Sequence, residues 1–444
     1  HPVIRIDLNA GNYANSGLEA LQDTLRCELQ AQAEKHGVEL TEANIVNQFK
    51  YLIRKVSEKA GERAAVIIDE YDKPLLETMS GDIDTHKAIR GELKGFYGVL
   101  KSSDPYLRFL LLTGVTKFSQ VSVFSDLNHL DDLTLDSSYA DLCGITQEEL
   151  ERDFGPEIDG ILEETGKSRE EYMDELRQYY NGYRFSKKPL KVYNPFGLLN
   201  HFKKGGEFEP YWYETGTPSF LIRLITDQKI NIANLSKMQV GYREFCKYDV
   251  EHMKVEPVLY QSGYLTITDY NDDKNRYTLD FPNLEVRSCF STSLIEQYLQ
   301  VPTDRSRALI FKLPDALEDG EIEEAVDAIR QCLASVPYDI IKETENYYQT
   351  AIHLVFTMLG LGCRSEVRIA DGRIDTLVET KNFVYCFEFK LDKTADEALA
   401  QIDTKEYLLP WTGSGKKLFK VGVNFDSEKR NIGEWKYTAS HATI

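Results

Sequence analysis

The chain has 444 residues with 72 acidic and 52 basic side chains, and its net charge of −20 excludes a constitutive, sequence-blind nucleic-acid binder. Hydrophobic residues make up 42%, with 26 Tyr and 21 Phe, which is ample for packed cores, and the length predicts two to four domains. No apolar run reaches the length that spans a bilayer, so no membrane partner is expected.

At the amino end, residues 3–8 form an apolar run that predicts a strand. Two helical patterns follow, and then Arg63-Ala64-Ala65-Val66-Ile67-Ile68-Asp69-Glu70, an apolar strand that finishes in Asp-Glu. Residues 107–112 predict a third strand, running into Thr113-Gly114-Val115-Thr116-Lys117. Strands that alternate with helices imply a parallel sheet with its functional groups at the carboxyl ends of the strands. In a nucleotide-binding sheet, an aspartate in the place of Asp69 holds Mg²⁺ through water, a glutamate in the place of Glu70 polarises the hydrolytic water, and Thr113 suits a γ-phosphate sensor. Buried parallel strands also end in polar residues for no such reason, so the pattern is only moderately specific.

Residues 145–180 are charged and helical in pattern and lead into the aromatic turn Tyr180-Asn181-Gly182-Tyr183-Arg184-Phe185; residues 145–225 read as a helical lid. Arg184 is expected to pack within that turn rather than to reach a phosphate. Residues 226–300 suggest a winged-helix-like unit, with a helix, a strand over 263–270, a polar turn at 271–275 and a second strand over 276–279. The wing tip sets Asp272 and Asp273 against Lys274, which favours a rigid spacer over a DNA-binding wing. Residues 301–339 are read as a helical linker.

From 340 onward the pattern is helix (347–361), strand (363–369), strand (373–378), strand (383–391), a helix opened by the capping box Thr394-x-x-Glu397 and running to about 408, and a strand over 418–425. Asp375 lies on the second of these strands and Glu388-Phe389-Lys390 on the third. Side chains alternate faces along a strand, so Glu388 and Lys390 point one way while Phe387 and Phe389 point the other. If the neighbouring strand brings Asp375 alongside, two carboxylates and an ammonium converge, a set that can hold a hard divalent cation and an attacking water for phosphodiester cleavage. An exposed Glu-x-Lys would be only a solvated pair. The run Phe383-Val384-Tyr385-Cys386-Phe387, apolar on both faces, predicts a covered central strand instead, whose charges need partners. Glu345 and Glu366 read as surface.

The α-β-β-β-α-β order with Asp375 and Glu388-x-Lys390 on its middle strands resembles the PD-(D/E)xK nuclease superfamily over about the last hundred residues. Gln401 and Tyr407 match the Gln and Tyr that several subgroups place near the metal and the DNA backbone; Ile374 stands where Pro is usual. Read together, Ile68-Asp69-Glu70-Tyr71-Asp72-Lys73-Pro74, the 112–119 segment Leu-Thr-Gly-Val-Thr-Lys-Phe-Ser, Ser125-Asp126-Leu127-Asn128 and the turn at 180–185 resemble the bacterial AAA-ATPase-like family whose members end in such a domain.

The resemblance implies an α/β multidomain chain. Its parts would be a P-loop-type ATPase module with a parallel sheet (1–144), a helical lid (145–225), a winged-helix-like unit (226–300), a helical linker (301–339) and an αβββαβ nuclease-like domain (340–444). It implies Mg²⁺ or Mn²⁺ at Asp375 and Glu388, catalytic roles for Lys390 and Gln401, ATP in the full-length protein with Asp69, Glu70 and Thr113 around it, DNA as the carboxyl-terminal partner, and scope for oligomerisation through the ATPase module. The phosphate-binding Walker A loop that the family carries ahead of the first strand is missing: Gly415-Lys416 has Pro410 in the first Gly position and Lys417 after it. The expectation is therefore a truncated or processed chain that does not bind ATP tightly.

Residues 340–444 hold 15 acids and 14 bases, so nearly all of the −20 lies elsewhere, and Lys393, Lys405, Lys416, Lys417 and Lys420 are expected to be free to meet phosphates. The seven scattered cysteines, with no C-x-x-C pair, predict buried thiols in a reducing cytoplasm rather than zinc ligands or disulfides. Two functions stay open at this stage: a metal-dependent DNA nuclease gated by the ATPase module, or a nucleotide-dependent switch whose nuclease-like module has become a docking domain. Convergence of Asp375, Glu388 and Lys390 on a solvent-open cleft distinguishes them.

Overall fold

The computed structural model describes residues 1–79, 82–116, 130–213, 255–298, 312–334, 364–369 and 372–441, with short pieces at 221–222, 224–225, 235 and 237–242. The expected helix over 347–361, Glu345, the side chain of Glu366 and the Ser125–Asn128 segment lie outside the described residues. Contacts divide the chain into two compact units: His1–Asp136 with Val240–Gly263 and Asn271–Tyr277, and Ser137–Gln239 with Tyr264–Tyr270 and Thr278–Ile444.

In the first unit, β1 (Val3–Asp7), β2 (Ala64–Asp69) and β3 (Leu107–Leu112) are all parallel, in the order β1-β2-β3. Helices α1 (Tyr13–His36) and α2 (Ile45–Ala60) connect the first two strands, and α3 (Lys73–Thr78) and α4 (Ile83–Ser102) connect the second and third. Local chemistry sets the helix ends. The Asn44 side chain accepts from the Val46 and Asn47 amides to start α2, and Gly37 and Gly61 close α1 and α2 in the left-handed conformation. Phe49, Leu52, Ile53 and Val56 recur at helical spacing on the buried face of α2, and Phe49 stacks on Phe96 of α4 at 4.4 Å.

The second unit begins with α5 (Gln147–Asp153), α6 (Gly155–Thr165), α7 (Arg169–Tyr180) and α8 (Pro195–Lys203), two of them opened by capping boxes at Thr146/Glu149 and Ser168/Glu171. Their core is aromatic: Tyr172, Tyr180 and Phe208 surround the buried His201. Arg184 packs as expected. It is 6% exposed and its guanidinium donates to the Ser186, Lys187 and Thr268 carbonyls. By contacts helix α9 (Val255–Gln261) belongs to the first unit; β4 (Thr266–Asn271) and β5 (Arg276–Asp280) form a hairpin where the polar turn was expected, and α10 (Leu284–Tyr298) and α11 (Ile322–Ala334) lie in the second unit.

The carboxyl-terminal sheet has five strands, β6 (Arg364–Ile369), β7 (Gly372–Glu379), β8 (Phe383–Leu391), β9 (Lys417–Asp426) and β10 (Asn431–His441), in the order β10-β9-β8-β7-β6. The β8–β9 pair is parallel and the other pairs are antiparallel. The parallel pair needs a crossover, which α12 (Ala395–Thr404) supplies. The central strand β8 puts Phe383, Tyr385, Phe387 and Phe389 in a ladder on one face, and Val384, Cys386 and Glu388 on the α12 face. Gly422 on β9 lets α12 sit close: a methyl there would lie 2.4 Å from the Ala395 carbonyl oxygen.

Four expectations need correction. The helix opened by Thr394 stops at Thr404, not near 408, because Glu406 turns left-handed (φ 48°) so that Tyr407 can fold back under the helix and bury. The edge strand β10 was not foreseen, since its polar side chains give no two-faced apolar run. Cys386 is buried, but Cys27 and Cys143 are exposed because they fall on polar helix and loop positions. Lys416 and Lys420 are not free: Lys416 donates to the Glu379 carboxylate and the Thr380 carbonyl, and Lys420 pairs with Asp403.

Candidate active site

The β7–β8 register pairs Thr376 with Phe387 and Leu377 with Cys386, and continuing it by one residue sets Asp375 opposite Glu388. Asp375 Oδ2 accepts the Phe389 backbone amide at 3.0 Å, which fixes that carboxylate across the strand pair. Lys390 Nζ donates to Glu388 Oε1 at 2.8 Å; the Glu388 side chain is 1% exposed and that of Lys390 15%. Glu388 therefore lies beneath Lys390, and Asp375 is half-buried beside them. The Asp375, Glu388 and Lys390 expected from the sequence are brought together, with the glutamate less open to solvent than the sequence suggested.

The helix adds the next contact. Gln401 Nε2 donates to the Tyr407 hydroxyl at 3.1 Å. Burial, followed by the Glu388 and Asp375 charges, raises the Tyr407 hydroxyl above its usual range, and the Cys386 thiol is pushed well up by burial and then by the same two carboxylates. Both neighbours thus sense a locally negative potential from the two carboxylates, which Lys420 partly offsets at Cys386. Oxygen donors from two carboxylates suit a hard cation that keeps most of its shell as water or substrate oxygen. Among the described residues no group of three or more His, Cys, Asp or Glu is placed to hold a metal ion.

A second constellation sits at the carboxyl ends of β1, β2 and β3. Thr113 Oγ1 donates to Asp69 Oδ1 at 2.6 Å, and Arg5 Nη2 to Asp69 Oδ2 at 3.0 Å. The Thr113 bond, then Arg5, hold the Asp69 carboxyl below its usual range. Glu70 follows in the left-handed region (φ 53°), costly for a residue with a Cβ, and burial followed by the Asp72 charge raises its carboxyl. Asp69, Glu70 and Thr113 are thus gathered at one edge.

Sequence reasoning missed two carboxylates here. Asp7 is the β1 register partner of Asp69 and shares Arg5 with it at 3.4 Å. Asp72 is fully buried and accepts from the Thr116 amide (2.5 Å), the Thr116 hydroxyl (2.6 Å) and the Val115 amide (3.2 Å), latching the loop after β3 to the turn after β2. Gly114 makes room for it, since a methyl there would lie 2.2 Å from Asp72 Oδ1. The signal for Asp7 was present: level ends of adjacent parallel strands.

Comparison with known proteins matches the two ends of the chain to two families. The family model described as predicted AAA-ATPase matches residues 1–124, and that of the PD-(D/E)XK nuclease superfamily matches residues 343–435. A protein of Azotobacter chroococcum mcd 1, described as an uncharacterized protein in the vnfD 5′ region, is 34% identical over 441 residues, covering 97% of this chain and 82% of its own length. No solved structure matches the chain. No helix among the described residues is long and apolar enough to cross a membrane.

Proposed function

The chain belongs to the family that joins an AAA-ATPase-like module to a PD-(D/E)XK nuclease-superfamily domain, and from that premise we propose that it is a divalent-metal-dependent DNA nuclease whose access to substrate is gated by the ATPase module. The observation that carries this reading is the junction of Asp375, Glu388 and Lys390 on adjacent strands, with Gln401 and Tyr407 behind them. In this reading residues 1–144 form the ATPase-like module, 145–225 a lid, 226–300 a spacer, 301–339 a linker and 340–444 the nuclease domain.

Asp375 Oδ1, the Glu388 carboxylate and the Phe389 carbonyl would hold Mg²⁺ or Mn²⁺, which when bound supplies Lewis-acid polarisation of the scissile phosphate. Lys390 orients the attacking water and meets the negative charge that grows on the phosphorane. Gln401, which donates to the Tyr407 hydroxyl, would position the substrate backbone. In the amino-terminal module Asp69, Glu70 and Thr113 would serve ATP, with Asp69 toward its metal ion and Glu70 as the base.

The test is incubation of the protein with supercoiled, linear and single-stranded DNA, with and without Mg²⁺ or Mn²⁺ and with and without ATP. Metal-dependent cleavage is expected. Absence of cleavage under every metal would overturn the nuclease reading.

A further inference from the structure

The edge strand β10 carries an interaction surface that neither candidate site uses. Among the described residues it pairs only with β9, leaving its outer row of backbone amides and carbonyls facing away from the sheet, and residues 434 and 436–440 are exposed. Open edges of this length invite another strand.

The side chains choose which one. On the α12 face β10 carries Glu434 and Lys436, with Lys436 Nζ 2.6 Å from Asp396 and 3.2 Å from Glu434. On the other face it carries Trp435 and Tyr437; the two rings stack at 6.0 Å and Tyr437 is 39% exposed, while Gly433 falls where the β9–β10 register shifts. Antiparallel pairing of this edge with an identical edge keeps like faces together when the two-fold axis is perpendicular to the sheet. An axis at Glu434 would set Glu434 against its own copy, and an axis at Lys436 would set two ammonium groups together. An axis at Trp435 places Glu434 opposite the second copy's Lys436 and Lys436 opposite its Glu434, two reciprocal ion pairs. The same register sets Trp435 beside its mate, an aromatic–aromatic cross-strand pair of the kind that stabilises antiparallel edges.

We propose that two copies of this chain dimerise through β10, in antiparallel register centred on Trp435, to form a continuous ten-stranded sheet. The perpendicular axis puts the two Glu388 sites on the same face. Five strand steps separate one β8 from the other, about 24 Å at ~4.8 Å per step, a spacing on the scale of a duplex.

Sedimentation velocity of the full chain over a concentration series tests this, with circular dichroism melts to confirm that each variant is folded. The wild type should dimerise. Lys436→Glu and Glu434→Lys should each raise the dimer dissociation constant roughly tenfold or more, because each replaces two attractive pairs with two repulsive ones. The double variant Glu434→Lys with Lys436→Glu should restore the wild-type constant, which a surface that merely loses charge would not do. A wild type that stays monomeric throughout overturns the proposal, as does a dimer indifferent to either single change, or single changes that the double swap does not repair.

Discussion

At the scale of single residues, Lys390 and Glu388 make the sharpest test, since they share one ion pair but are assigned different work. Lys390→Ala removes the short-range positive charge beside the two carboxylates and little packing, so cleavage should fall about 10²–10³-fold or more with the fold intact. Glu388→Gln should lose as much by weakening the metal site itself. Excess Mn²⁺ should then partly rescue Glu388→Gln and leave Lys390→Ala inactive; wild-type rates in both would misassign the site. Calorimetric titration with Mn²⁺ should show a weak site that Asp375→Asn abolishes, and an unchanged isotherm would place the metal elsewhere.

Two buried residues of the aromatic unit give a pH signature of their own. Glu285 is fully buried, accepts the Trp212 and Tyr213 amides, and is pushed by burial up to about 7; His201, also fully buried, is pushed down to about 4. As pH rises from the ordinary glutamate range to about 7, the unfolded chain releases a proton that folded Glu285 keeps, so stability falls. Over nearly the same window the unfolded chain loses the proton that folded His201 never bound, so stability rises. Each unit of displacement is worth ~1.4 kcal/mol, and the two slopes oppose. Glu285→Gln keeps an acceptor for both amides and removes only the falling slope. Its thermal stability should therefore gain on the wild type steadily between pH 5 and 7, and parallel melting profiles would refute the assignment.

At the scale of elements, Gly422 decides where α12 lies and hence where Gln401 and Tyr407 stand relative to Glu388. Its missing side chain lets the Ala395 carbonyl and the Leu399 side chain press onto β9. Gly422→Ala puts a methyl against backbone, which cannot turn aside, so the helix must shift; a cost of about 1–3 kcal/mol is expected, with slower cleavage. A melt and a cleavage rate on the same preparation check it, and a neutral outcome in both would mean that α12 has room the packing does not show. The capping box that starts this helix was legible at Thr394 and Glu397. The helix's early end was not, because only the buried seat of Tyr407 forces Glu406 into a left-handed turn.

At the scale of the whole molecule, the charge is divided by module. The carboxyl-terminal region is nearly neutral, and with Lys416 and Lys420 held by Glu379 and Asp403, Lys393, Lys405 and Lys417 are the lysines of that group left to meet phosphates. About three contacts predict a slope near −3 for the logarithm of DNA affinity against the logarithm of salt concentration. Fluorescence anisotropy with the Lys390→Ala protein measures it without cleavage. A slope of about −8 or steeper would require a basic surface contributed by other residues.

The sequence alone determined the parts whose physics is local or periodic. Alternating apolar runs and helical stripes set the three parallel strands of the amino-terminal sheet, the capping boxes set helix starts, and face alternation put Glu388 and Lys390 on one side of a covered strand. What needed tertiary structure were the relations between distant segments: Asp375 level with Glu388 through an antiparallel register, Asp7 level with Asp69 through a parallel one, Asp72 latching a loop more than forty residues away, and two lysines neutralised by acids they do not neighbour in the chain. β10 belongs to that second group. A polar edge strand buries too little to announce itself, and only its place beside β9 turns Glu434, Trp435, Lys436 and Tyr437 into a surface.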